Sequence, residues 1–174
     1  MAFARTIISA TIGAAALALT APATAEPVVR NWRPPAYRIY AQVLSDDIMA
    51  HHPELWSVTF HGVPPGMDKV YTMFAGSYPD RIGNPDDPDD VDVIVKGITS
   101  VDPRWHRHDA RGKFVLQMPL RDRNGDNVGL LVLAYRIGPE MHMGERDYFA
   151  AGTVLRDQLQ DRISDYASLY SRAP

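Results

Sequence analysis

Val128-Gly129-Leu130-Leu131-Val132-Leu133-Ala134-Tyr135-Arg136-Ile137 decides the fold. It is apolar at nearly every position, so as a strand it must be covered on both faces. Gly138-Pro139 breaks it. Upstream, Asp122-Arg123-Asn124-Gly125 is a strong turn signal. Before that turn, Phe114 to Leu120 reads as the strand from which Val128–Ile137 returns.

Working outward, Trp56-Ser57-Val58-Thr59-Phe60-His61 alternates as a strand should. Trp56, Val58 and Phe60 are expected on one face, Ser57, Thr59 and His61 on the other. Lys69 to Ala75 is expected to pair with it across the Pro64-Pro65-Gly66 loop. Residues 77–88 are turn-rich, and Asp89 to Lys96 is predicted to be a short helix closed by Gly97. A helix is expected from Ala36 to His52, with Tyr40, Val43, Leu44 and Ile48 on one side and Pro34-Pro35 able to open it. Pro53 ends it. Gly144 to Tyr170 reads as a long final helix, with a stripe of Tyr148, Leu155, Leu159, Ile163, Tyr166 and Tyr170. The polar connection 98–111 leaves room for one more strand. The order is helix, two strands, short helix, two strands, helix, which predicts an α+β domain built on an antiparallel sheet.

The 174 residues carry 18 Lys+Arg and 21 Asp+Glu, a formal charge of −3, which gives no electrostatic reason to bind nucleic acid or an anionic membrane. The absence of cysteine excludes disulfides, thiolate metal ligands and thiol nucleophiles. Residues 1–25 have the layout of a secretory signal peptide. Arg5 is the only charge before Glu26, Thr6 to Ala21 is apolar or small, and Ala23-Thr24-Ala25 supplies small residues at the cleavage site. That apolar stretch is short for a membrane anchor, and no basic cluster follows it. Cleavage would leave a lead-in over 26–35 and a single domain over 36–174, periplasmic or secreted, with no membrane span.

Three stretches carry a resemblance. They are His52-Pro53-Glu54-Leu55 with Phe60-His61-Gly62-Val63-Pro64-Pro65-Gly66, then Ser77-Tyr78-Pro79-Asp80-Arg81-Ile82-Gly83, then Met118-Pro119-Leu120-Arg121-Asp122-Arg123-Asn124-Gly125-Asp126-Asn127-Val128-Gly129. Over residues 36–137 the chain resembles single-module Cache domains, the PAS-like extracytoplasmic sensing domains of bacteria. The resemblance implies a curved antiparallel sheet with long N-terminal and C-terminal helices. A long helix would pack on one face, and a small ligand would sit on the other, under the loops. Such domains are usually tethered to a transmembrane helix and an output domain. Here neither follows, so signalling would pass to a separate membrane receptor or kinase.

The expected ligand pocket draws on His61 from the polar face of the first strand, Tyr71 and Met73 from the second, and Ser77, Tyr78 and Arg81 from the loop after it. Trp105 and Arg107 on the middle connection and Gln117 on a later strand complete the set. Aromatic walls with one or two arginines suit a small anion such as a carboxylate, because a guanidinium donates two parallel charge-assisted hydrogen bonds to it. The expected function is noncatalytic small-molecule binding and sensing, with no cofactor.

Other chemistries compete. His106 and His108 are two apart, so on a strand both rings point one way, and with His61 or Asp109 they could hold zinc or copper. His51-His52 and His142, flanked by Met141 and Met143, are further donors. His61 and Met67 could be axial ligands of a noncovalent haem. A periplasmic metal- or haem-binding accessory protein is therefore the alternative. The acidic run Asp86, Asp87, Asp89, Asp90 and Asp92 lacks the EF-hand pattern and reads as helix N-capping. No nucleophile-elbow, P-loop or dinucleotide fingerprint is present; His61 with Asp102 or Asp109 is the catalytic pairing to consider. The tyrosine stripe of the last helix is the candidate seam for a homodimer, or for docking on a receptor.

Overall fold

The computed structural model describes residues 28–101, 112–138 and 143–173. Among them it forms helices α1 (Tyr40–His51), α2 (Pro88–Lys96) and α3 (Glu145–Arg162). The strands are β1 (Leu55–Gly62), β2 (Thr72–Gly76), β3 (Ser100–Val101), β4 (Lys113–Arg121) and β5 (Asn127–Arg136). The fold is α+β, with one antiparallel five-stranded sheet in the order β2-β1-β5-β4-β3. The expected signal peptide lies outside the described residues. No helix among the described residues is long and apolar enough to cross a membrane.

The largely apolar β5 stands at the centre of the sheet, between β1 and β4. Its two faces meet different neighbours. Leu131, Leu133 and Tyr135 join Val58, Phe60, Phe114, Leu116 and Met118 in the main core, with Ala41, Leu44 and Ile48 of α1 and Tyr148, Leu155 and Leu159 of α3. Val132 and Ala134 face the other way, towards α2 and the cleft described below. The turn before β5 is held by Asp122, whose Oδ1 accepts from the backbone N–H groups of Asn124 and Asp126 at 2.9 and 3.0 Å. The short helix falls where it was expected, with Gly97 in the left-handed conformation at its end.

The terminal helices are shorter than expected. α1 begins at Tyr40, because Ile39 is extended and bridges to Arg172 while the Tyr40 N–H donates to the Ser171 carbonyl. Arg38 and Ile39 therefore pair with the C-terminal segment instead of winding a first turn. α3 stops at Arg162, where buried Ile163 turns extended and its carbonyl accepts from the Arg123 N–H at 2.8 Å. Beyond it only a 3₁₀ turn forms, over Ala167–Tyr170. The expected tyrosine seam is thus not one surface stripe. Tyr148 stacks on Phe114 inside the core, and Tyr170 packs on Phe74 and Trp32.

Two strand readings are also corrected. A bulge between Leu55 and Ser57 turns Trp56 outward, where it is 47% exposed beneath the Arg136 guanidinium, so it does not share a face with Val58 and Phe60. β2 starts at Thr72 and not at Lys69, which has a positive φ of 58°. Tyr71 accordingly precedes the strand. Its carbonyl accepts from the Asn31 side chain and the Asp86 N–H, tying down the lead-in segment.

α1 and α3 are joined by Arg162, whose guanidinium donates to Asp47 at 2.5 Å. That hydrogen bond holds the Asp47 carboxyl below its ordinary 3.8. A depressed acid contributes stability above its unfolded-state value and loses it as pH falls through the folded-state value. Both side chains are more than a third exposed. Asp47→Asn is therefore expected to cost less than about 1 kcal/mol at neutral pH. Paired urea titrations should show the difference from wild type vanishing on acidification below 3.8.

Candidate functional site

The alternation of β1, β4 and β5 sets one row of side chains against α1 and α3, and the opposite row against a cleft. From β1 the cleft receives Ser57 and His61; from β4, Lys113, Val115 and Gln117; from β5, Val132 and Ala134. β2 supplies Met73. The loop after β2 contributes Tyr78, Arg81, Asn84 and Pro85, and α2 closes one end with Asp87 and Asp90. The cavity measures about 270 Å³.

His61 is the hub of one wall. Its Nδ1 lies 2.7 Å from Oδ1 of Asp86, and its Nε2 lies 2.7 Å from Oγ1 of Thr59. The Asp86 side chain is fully buried and that of His61 is 11% exposed. Burial by itself pushes the imidazole down, but the Asp86 hydrogen bond and charge, aided by Asp90, outweigh it and hold the ring above its ordinary value. Burial pushes both the Asp86 and Asp90 carboxyls up, against the pull of the His61 charge. Asp90 is anchored by Gln117, whose Nε2 donates to its Oδ1 at 2.9 Å and to Asp89 Oδ2 at 2.6 Å. Ser100 in turn donates to Gln117 Oε1 at 2.8 Å. This chain of bonds ties β3, β4, α2 and β1 into one polar wall.

Across the cleft Arg81 lies over the Tyr78 ring, 5.7 Å from its centroid. Among the described residues no carboxylate is paired with its guanidinium. The Arg81 charge does reach His61, where it opposes protonation.

Five of the nine expected pocket residues line this cleft: His61, Met73, Tyr78, Arg81 and Gln117. Tyr71 and Ser77 do not. The Ser77 hydroxyl is taken by β1, accepting from the Val58 N–H and donating to the Val58 carbonyl, both at 3.2 Å. Trp105 and Arg107 lie outside the described residues, as do His106, His108, Asp102, Asp109, Met141 and His142. Met67, expected opposite His61 as a haem ligand, is 40% exposed on its loop and is not part of the cleft wall.

Sequence reasoning missed Asp86. In sequence the acidic run reads as a helix cap, and that holds for Asp90, whose Oδ2 accepts from the Asp87 N–H. Asp86 precedes the cap and its side chain turns to His61 instead. A histidine facing out of a strand beside Ser57 and Thr59, in a chain with one dense acidic run, was the available signal.

No protein-family model matches the chain, and no curated protein matches it. Among solved structures, it is similar to the repressor BlcR of Agobacterium tumefaciens. The identity is 14% and the TM-score 0.41, over 78% of this chain and 69% of that one, too low to bear on function.

Proposed function

We propose that the protein is a periplasmic, noncatalytic binding protein of the PAS-like Cache type. It takes a small anion, a carboxylate above all, and relays its occupancy to a separate membrane partner. The observation that carries this reading is the cleft on the sheet face opposite α1 and α3, walled by Arg81, a guanidinium with no carboxylate partner among the described residues. The placing of α1 and α3 on one face and a cavity under loops on the other, closed at one end by α2, supports the layout the resemblance implies. Arg81 is exposed at the cleft, and the Tyr78 ring beside it orients the guanidinium that would meet an anion. The apolar patch of Met73, Val115, Val132 and Ala134 suits a short hydrocarbon portion. At about 270 Å³ the cavity favours a ligand smaller than drug-sized molecules.

Small mono-, di- and tricarboxylates titrated into ¹⁵N-labelled protein should shift the amides of residues 78–84 and 113–117. Arg81→Ala should weaken the tightest of them by about 10–100-fold, the loss of a charge-assisted hydrogen-bond pair. Unchanged affinity in that variant, or a preference for amines over carboxylates, would overturn the assignment.

A further inference from the structure

We infer that His61, Asp86 and Asp90 form a binding site for one divalent transition-metal cation, buried beside the cleft. The three residues come from a strand, a loop and a helix, yet each offers one ligand atom within 4.8 Å of the others. Nδ1 of His61 lies 2.7 Å from Asp86 Oδ1 and 4.0 Å from Asp90 Oδ2. A cation with ligands at about 2.1 Å needs donor–donor edges of roughly 3–3.5 Å, and these two distances bracket that range.

The second observation is independent of the clustering. Asp86 Oδ2 is buried and has no hydrogen-bond partner among the described residues. A buried carboxylate oxygen left without a donor is costly, and a cation held by the Asp86 carboxylate offsets that cost. Helix capping does not explain Asp86, because its side chain caps nothing. The ligands are also held from outside, as metal ligands commonly are. Gln117 fixes Asp90, and the Asp86 N–H is bound to the Tyr71 carbonyl.

One imidazole and two carboxylates, without a thiolate, suit Zn²⁺ or Mn²⁺ rather than a soft cation such as Cu⁺. The proton that Nδ1 now shares with Asp86 is released to solvent on binding. Three protein donors leave at least one coordination position for water or another ligand. This inference does not rest on the anion-binding reading. Carboxylate binding and Zn²⁺ binding are measured separately, so either can fail alone.

The test uses the full chain after chelator treatment, titrated with Zn²⁺ against a chromophoric chelator. One Zn²⁺ should bind per chain. Asp86→Asn and His61→Gln should each weaken it by more than the roughly 10–100-fold that loss of an outer-sphere partner costs. A variant with both His106→Ala and His108→Ala should bind as wild type does. Equal affinity in Asp86→Asn, loss of binding in the His106/His108 variant, or no uptake by the wild type would each overturn the inference. If the two site variants do not fold, X-ray absorption at the zinc edge of the wild type decides. One imidazole among oxygen ligands supports the site, and two or more imidazoles contradict it.

Discussion

Gly129→Ala is expected to destabilise the protein by about 3 kcal/mol or more, the sum of a left-region backbone penalty and a steric clash. Gly129 sits near the start of β5 with φ +149°, a conformation that L side chains rarely adopt. A Cβ there would lie 2.4 Å from the carbonyl oxygen of His61. The obstacle is backbone and cannot rotate away, so β1 must move off β5. That movement displaces His61 itself, and with it the wall of the cleft. Urea denaturation should show a large drop in midpoint. The ¹⁵N spectrum should show the remaining folded molecules perturbed around residues 59–62 and 86. A near-neutral substitution would mean that the β1–β5 contact is looser than described.

His61→Ala is expected to cost about 3–5 kcal/mol in chelator-treated protein, because it strands a buried carboxylate. The Asp86 side chain is fully buried, and among the described residues its one hydrogen bond comes from His61. Once that bond is gone, Asp86 must either stay charged without compensation or take up a proton at a free-energy cost. Removing both partners removes the stranded charge. His61→Ala combined with Asp86→Ala should therefore be more stable than His61→Ala alone, despite the larger void. A double-mutant cycle by urea denaturation measures the coupling. Additive losses would show that the pair is not the buried unit described here.

How much was legible follows from the range of each signal. The β4–β5 hairpin, the central place of β5 and helix α2 rest on local chemistry: an unbroken apolar run, an Asp-Arg-Asn-Gly turn, and Gly97 at a helix end. They were readable from neighbours in sequence. The start of α1 was not, because Pro34-Pro35 permit a helix there and it is the distant residues 171–173 that hold Arg38 and Ile39 out of it. The end of α3 is likewise set by distant contacts. The tyrosines beyond Arg162 keep helical spacing, but Tyr170 is drawn away by Phe74 and Trp32. In the site, His61 was readable from strand alternation, Gln117 from its place on a later strand, and Arg81 and Tyr78 from their place in a loop after a strand. Asp86 was not, since its pairing with His61 spans 25 residues and looks, in sequence, like part of a cap. Gly129 shows the reverse case. It was visible as a spaced glycine in the resemblance, but its physical cause, the close approach of the His61 carbonyl, needed three dimensions.

The central claim is that the cleft holds a small anion at Arg81. Native mass spectrometry of the full chain, purified gently from the cells that make it, tests it most directly. The account predicts a retained small organic acid, lost on denaturation and absent from the Arg81→Ala protein purified in the same way. A retained molecule without an acidic group, or one held equally well by Arg81→Ala, would contradict it.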